Sequence, residues 1–151
     1  MGGRTRTSGE SFTIPEQSTP ATANADCPTV TDGPTTKGRD AGGTDSGPAV
    51  IKAFEHAYYV QRSGRAARAL AAPSARISSA EQLQAGTDTI TPGTLHCSVI
   101  TDRGAGLYAL ELTEIPLRGE APTTYYQLVQ TTSDERGRSW IVSITKDTDR
   151  S

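Results

Sequence analysis

The sequence predicts an α+β domain in which N-terminal helices, one long and two short, pack on a curved four-stranded antiparallel sheet in a cone-like roll. Three observations carry that expectation. Large apolar side chains become frequent only from Pro48 onward. Between Val50 and Leu83 they recur at three- and four-residue steps, the helical period. After Thr91-Pro92-Gly93 the step changes to two, the period of a strand with one covered face.

The first observation divides the chain. Between the initiator and Gly47 the large apolar side chains are Phe12, Ile14 and Val30, set among Thr, Gly, Pro, Ser and Asp. Such a stretch buries too little apolar surface to offset its ordering entropy. Residues 1–45 are therefore expected to form a flexible tail or stalk, 46–147 the folded domain, and 148–151 a short C-terminal tail. About 100 residues suffice for one modest core.

The elements follow in order. Pro48 suits the first helical position, and Asp45, Ser46 or Gly47 can cap it. Val50, Ile51, Phe54, Ala57, Tyr58 and Gln61 then form a stripe, so a helix is expected over 48–61. Ser63 caps a second helix, 65–71, which Pro73 stops. Ser78 and Glu81 read as a capping box for a third, anchored by Leu83 and ended by Gly86. Next, Leu95, Cys97 and Val99 alternate with Thr94, His96 and Ser98 as a first strand. Gly104-Ala105-Gly106 makes a turn into a second strand, 107–115, whose inner face is Tyr108, Leu110 and Leu112. A third strand covers 123–132, and Trp140, Val142 and Ile144 mark one face of the last. Consecutive strands joined by short turns pair antiparallel.

This order of elements over 48–145 resembles the nuclear-transport-factor-like (cystatin-like) α+β cone, whose members include ketosteroid isomerases and non-catalytic modules. Three segments, Ser46-Gly47-Pro48-Ala49-Val50-Ile51, Tyr58-Tyr59 and Pro92-Gly93-Thr94-Leu95-His96-Cys97, also look like uncharacterised exported domains of actinobacteria. The resemblance implies a location outside the cytoplasm behind a single membrane helix, and it implies no assigned activity.

Charge and cysteine usage narrow the function classes. Fifteen basic and 17 acidic residues give a net charge of −2 without a basic run, which argues against nucleic acid as a partner. No apolar stretch reaches the roughly 20 residues of a membrane helix. Met1-Gly2-Gly3-Arg4 leads directly into polar residues, unlike a secretory signal. Two expectations remain open, a cytoplasmic protein or a piece whose anchoring segment lies ahead of Met1. Cys27 in the tail and Cys97 in the first strand are expected to form a disulfide that pins the tail, which favours an oxidising compartment. No CxxC or Cys/His set points to zinc, and no cofactor is expected.

The candidate site residues divide by chemistry. Glu55 and His56 offer a carboxylate and a base, but adjacent helical residues diverge, and His56 reads as a surface residue. His96 points away from Cys97 on its strand and is expected on the solvent side. Glu111 is the carboxylate an isomerase-like pocket would use as proton-transfer base, yet it falls opposite the apolar inner face. Tyr58, Tyr59, Tyr108, Tyr125, Tyr126 and Trp140 are candidates for an aromatic binding surface. No catalytic motif stands out. The expected function is that of a non-enzymatic, extracytoplasmic binding or assembly domain of an envelope-associated protein, acting by surface recognition of a protein partner or a second copy. The alternative is a small-molecule pocket protein, a carrier or an isomerase-like enzyme using Glu111 or His56.

Overall fold

The computed structural model describes residues 26–150, which form seven strands and three helices. In chain order these are β1 (Val30–Asp32), β2 (Thr35–Gly38), α1 (Gly47–Tyr59), α2 (Gly64–Arg68), β3 (Ala71–Arg76), α3 (Ala80–Asp88), β4 (Leu95–Asp102), β5 (Leu107–Ile115), β6 (Thr123–Ser133) and β7 (Ser139–Lys146). All seven strands join one sheet in the order β1-β2-β4-β5-β6-β7-β3. Every neighbouring pair is antiparallel except β3 and β7, which run parallel. This overturns the expected fold class: the sheet is mixed and seven-stranded, not a four-stranded antiparallel layer beneath one long and two short helices.

The three additional strands have simple causes. Asp32-Gly33-Pro34 turns β1 back on β2, with Gly33 at φ +59, and Thr and Val dominate the flanks. That hairpin extends the sheet beyond β4, pairing Thr36 with Ile100, within the region assigned to the tail. β3 reads Ala-Ala-Pro-Ser-Ala-Arg, and its proline is tolerable because the strand lies at the sheet edge. Its pairing starts where the Ile141 amide donates to the Leu70 carbonyl at 3.1 Å.

Within β4–β7 the register places Ile100 opposite Leu110, Ser98 opposite Leu112 and His96 opposite Glu114. Across β6 the same rows continue as Val129 beside Tyr108, Gln127 beside Leu110 and Tyr125 beside Leu112. Tyr108, Leu110 and Leu112 thus lie on the inner face as expected. On β4 the expected faces are reversed: His96, Ser98 and Ile100 point inward and are buried, whereas Leu95 is exposed. On β7 the register shifts between Gln130 and Thr131, so Ile144 faces Val129 while Ile141 faces Thr131. This irregularity brings Ile141, and not Trp140 or Val142, into the core with Ile144 packed beside it.

Helix α1 covers that face. Ser46 caps it by accepting from the Ala49 amide at 3.2 Å, and Pro48 occupies the first turn. Val50, Ile51, Phe54 and Ala57 bury into one cluster with Ile100, Leu110, Leu112, Val129 and Ile141. Gly47 abuts the Tyr108 ring so closely that a side chain there would displace the ring. On its other side α1 is held by a salt bridge from buried Lys52 to Asp40 at 2.8 Å. Burial works to raise the Asp40 carboxyl, but the Lys52 hydrogen bond and charge prevail and hold it below its ordinary range.

The two short helices form a pair. Ser63 caps α2 through the Ala66 amide at 3.0 Å. The Gly64 amide donates to Gln84 Oε1 at 2.8 Å, and Gly64 lies against the Ala80 carbonyl, so the two backbones touch. The capping box of α3 sits one residue later than expected, made by Ser79 and Gln82 and not by Ser78 and Glu81.

Cys27 and Cys97 form a disulfide, with Cα atoms 5.8 Å apart and both side chains buried. The bond closes a separation of 70 residues and ties the approach to β1 onto the outer face of β4. In the chain-entropy picture a loop of that size stabilises by roughly 4 kcal/mol. Thiol titration of the unfolded, unreduced protein is expected to find no free thiol. Cys27→Ser paired with Cys97→Ser should lower the unfolding free energy by roughly 2–4 kcal/mol in urea. A loss under about 0.5 kcal/mol would show that the bond constrains nothing.

Candidate functional site

Beyond the filled core, the space between α1, α3 and the sheet opens into a pocket of about 660 Å³. Its size is within the range that holds small organic ligands. Helix α1 lines it with Phe54, Glu55, Tyr58 and Tyr59, and α3 with Leu83 and Gly86. The sheet contributes Leu112 and Glu114 from β5, Tyr125 and Gln127 from β6, and Ile144 from β7. The β5–β6 loop adds Leu117, Arg118 and Glu120 at the rim. Gly86 lies against the Tyr58 hydroxyl, which a side chain at that position would displace.

Two carboxyls define the polar end. Glu55 shares a stripe of α1 with Ile51 and Tyr59, each one turn away, and is only 4% exposed. It lines the pocket, and no hydrogen-bond partner meets its carboxyl among the described residues. Desolvation, reinforced by the nearby Glu114 charge, pushes the Glu55 carboxyl up to about 8. Glu114 extends the inward row of Leu110 and Leu112 by one step of two. The Tyr59 hydroxyl donates to its Oε2 at 2.5 Å. Burial first, and the Glu114 hydrogen bond second, raise the Tyr59 phenol far above its ordinary value, so it remains a donor.

His96 completes this wall from behind. Its ring stacks on Tyr59 with centroids 4.9 Å apart and planes 13° from parallel. It is 2% exposed, which corrects the expected solvent-side placement. Desolvation, then the Arg39 and His56 charges, lower it to about 4, so it is neutral and acts as a packing group. The reversed faces of β4 are the reason: a face closed by Ile100 and the α1 stripe carries His96 inward with it.

The other candidate residues disperse. Glu111 lies on the outer face opposite Tyr126, where Arg150 Nη2 bonds its Oε2 at 2.6 Å and stands 4.7 Å over the Tyr126 ring. His56 does not line the pocket. Trp140 donates to Asp134 Oδ2 at 3.0 Å in the β6–β7 turn, beneath the Arg138 guanidinium at 3.9 Å. Tyr108 packs under Gly47. Of the six aromatic candidates, Tyr58, Tyr59 and Tyr125 meet in the pocket; Tyr126, Tyr108 and Trp140 do not. Glu114 was missed altogether. Its signal was available, because it continues the alternation of Leu110 and Leu112. Among the described residues no cluster of His, Cys, Asp and Glu could hold a metal ion. Nor is any described helix long and apolar enough to cross a membrane.

These features define a class: a disulfide-pinned α+β domain whose helical layer roofs a pocket with a carboxyl-bearing wall. Residues 24–145 match the family described as a domain of unknown function, DUF8176, and the chain belongs to that family. Neither a curated protein nor a solved structure matches the chain.

The two buried groups pull stability in opposite directions with pH. Unfolded chains bind more protons than folded ones between the folded His96 value of about 4 and its ordinary 6.5, so that term makes stability rise with pH. Folded chains bind more protons between the ordinary Glu55 value of 4.5 and its folded value of about 8, so that term makes stability fall with pH. The terms oppose each other below about pH 6.5, and above it Glu55 acts alone. From about pH 6.5 to 8.5 the Glu55 term should remove roughly 2 kcal/mol. Urea melts at those two pH values should show that loss in the native chain and a flat response in Glu55→Gln. An equal loss in the variant would place the titration elsewhere.

Proposed function

We propose that the domain binds a small, largely apolar molecule in the pocket between α1, α3 and the sheet. One observation carries this reading: a cavity of about 660 Å³ whose wall holds a nearly inaccessible, unbonded carboxyl, Glu55. A carboxyl that faces the pocket without a protein partner is free to pair with an occupant. The phenylalanine, leucine and isoleucine side chains around it would take the apolar body of such an occupant. The work is that of a carrier or receptor and not of an isomerase-like enzyme. Neither Glu111 nor His56, the residues such an enzyme would use, lines the cavity.

The disulfide supports a location outside the cytoplasm, since such bonds persist in oxidising compartments. The resemblance to exported actinobacterial domains points the same way. Envelope attachment, through a segment other than those described, belongs to this same proposal. A second reading, recognition of a protein partner or a second copy, is favoured by the rim of the pocket, where Leu117 and Tyr125 stand exposed.

The test is titration of a neutral solvatochromic dye such as Nile red, with octanol as competitor. Saturable one-to-one binding is expected, weakened at least about tenfold by Leu83→Trp, which fills the pocket from α3. A non-saturating signal, or one that ignores Leu83→Trp in a variant still folded by circular dichroism, would refute the pocket reading.

A further inference from the structure

Resting on the pocket reading, we infer that the ligand is an organic cation, an apolar body ending in a protonated amine, with its ammonium group against the Glu55 and Glu114 carboxyls. The first support is geometric. Glu55 and Tyr59 lie one turn apart on the same stripe of α1, and the Tyr59 hydroxyl holds Glu114 of β5 at 2.5 Å. Both carboxyls therefore converge on one end of the cavity. Glu114 has a donor in Tyr59, whereas Glu55 is 4% exposed, lines the cavity and has no hydrogen-bond partner among the described residues. A group bearing several N–H donors and a positive charge satisfies it best.

The second support is the sign of the lining. The ionisable groups that face Glu55 are Tyr58 and Tyr59 of its own helix, Glu114 of β5 and Tyr125 of β6. His96 of β4 stands behind Tyr59, and the nearby His56 lies off the lining. Arg118 and Glu120 reach the rim from the β5–β6 loop, while α3 and β7 supply only neutral groups. The lining thus carries three carboxyls against one guanidinium, and that guanidinium is on an exposed residue at the mouth. The rings of Tyr58 and Tyr125 add faces that attract a cation and do nothing for an anion.

Seating a cation has a protonic consequence. In the empty pocket Glu55 holds its proton near neutral pH. An ammonium beside it favours the carboxylate, so the complex forms as the Glu55 proton passes to solvent and the ion pair takes its place. The charge of the pocket is conserved: one proton leaves and one monocation enters. Affinity for the cation therefore rises with pH until Glu55 is ionised in the free protein.

Calorimetric titration of the full chain with octylamine, octanol and octanoate separates the possibilities, since their chains match and their heads differ. Octylamine is expected to bind at least about tenfold tighter than octanol at about pH 8.5, with octanoate the weakest. Between about pH 6.5 and 8.5 its affinity should rise roughly tenfold or more, as the ionised fraction of Glu55 grows, while octanol changes little. Repeating the titration in buffers of different ionisation enthalpy should show close to one proton released per octylamine bound near pH 6.5. In Glu55→Gln the preference for octylamine over octanol and its pH dependence should both collapse. If that variant does not fold, proton release and the pH series in the native chain still decide. Octanol binding as well as octylamine, octanoate binding best, or the absence of proton release would overturn the cation assignment while leaving the pocket reading intact. Failure of all three to bind would overturn both.

Discussion

Between α1 and the inner face of β4–β6, Val50, Ile51, Phe54 and Ala57 meet Ile100, Leu110 and Leu112 and exclude water from the centre of the molecule. Most of the fold's stability must come from such apolar contact, since the helices are short and contribute little alone. The same contact also imposes a constraint. A strand alternates strictly, so burying Leu110 and Leu112 carries Glu114 to the same side. A helix returns every three to four residues, so burying Ile51 and Tyr59 carries Glu55 between them. Two carboxyls enter the interior because their apolar neighbours are driven there.

The structure treats these two charges differently. Glu114 receives the Tyr59 hydroxyl and remains bonded. Glu55 has no such donor and rises to about 8, the response of a buried group that can still exchange its proton. A carboxyl pair of this kind at the end of a pocket lined by polar and apolar groups alike is useful for recognition. Such a departure from an apolar interior is usual where function has been built into a stable layer. Around it, the stacked Tyr59–His96 pair closes the back wall of the cavity.

The sheet's margins show how the rest is held. At one edge β1 is three residues long and exposed throughout, and at the other β3 carries Pro73; short and proline-bearing edges discourage pairing with other chains. The disulfide from Cys27 to Cys97 fastens the β1–β2 side to β4. Salt-bridged Lys52 and Asp40 clamp the connection between that hairpin and α1. Glu111 and Arg150 do the same for the C-terminal turn on the outer face.

Several features are local enough for the residue order to decide them alone. The start of α1 at Ser46-Gly47-Pro48, the change of period at Pro92, the inward row of Tyr108, Leu110 and Leu112, and the turn at Gly104-Ala105-Gly106 all depend on neighbours a few positions apart. The cysteine pair was legible because two thiols leave a single possible partnership. What required the tertiary structure was every choice between covers. β1 and β2 form against the edge that β4 offers, and β3 against that of β7, so runs too short to hold as strands alone become strands. The faces of β4 and β7 were misread because Leu95 and Trp140 are more apolar than His96 and Ser139, yet α1 and the irregularity near Thr131 decided which side lost water. The pocket has the same origin. Glu55 and Glu114 are 59 residues apart, and only the packing of a helix on a strand brings their carboxyls to one cavity.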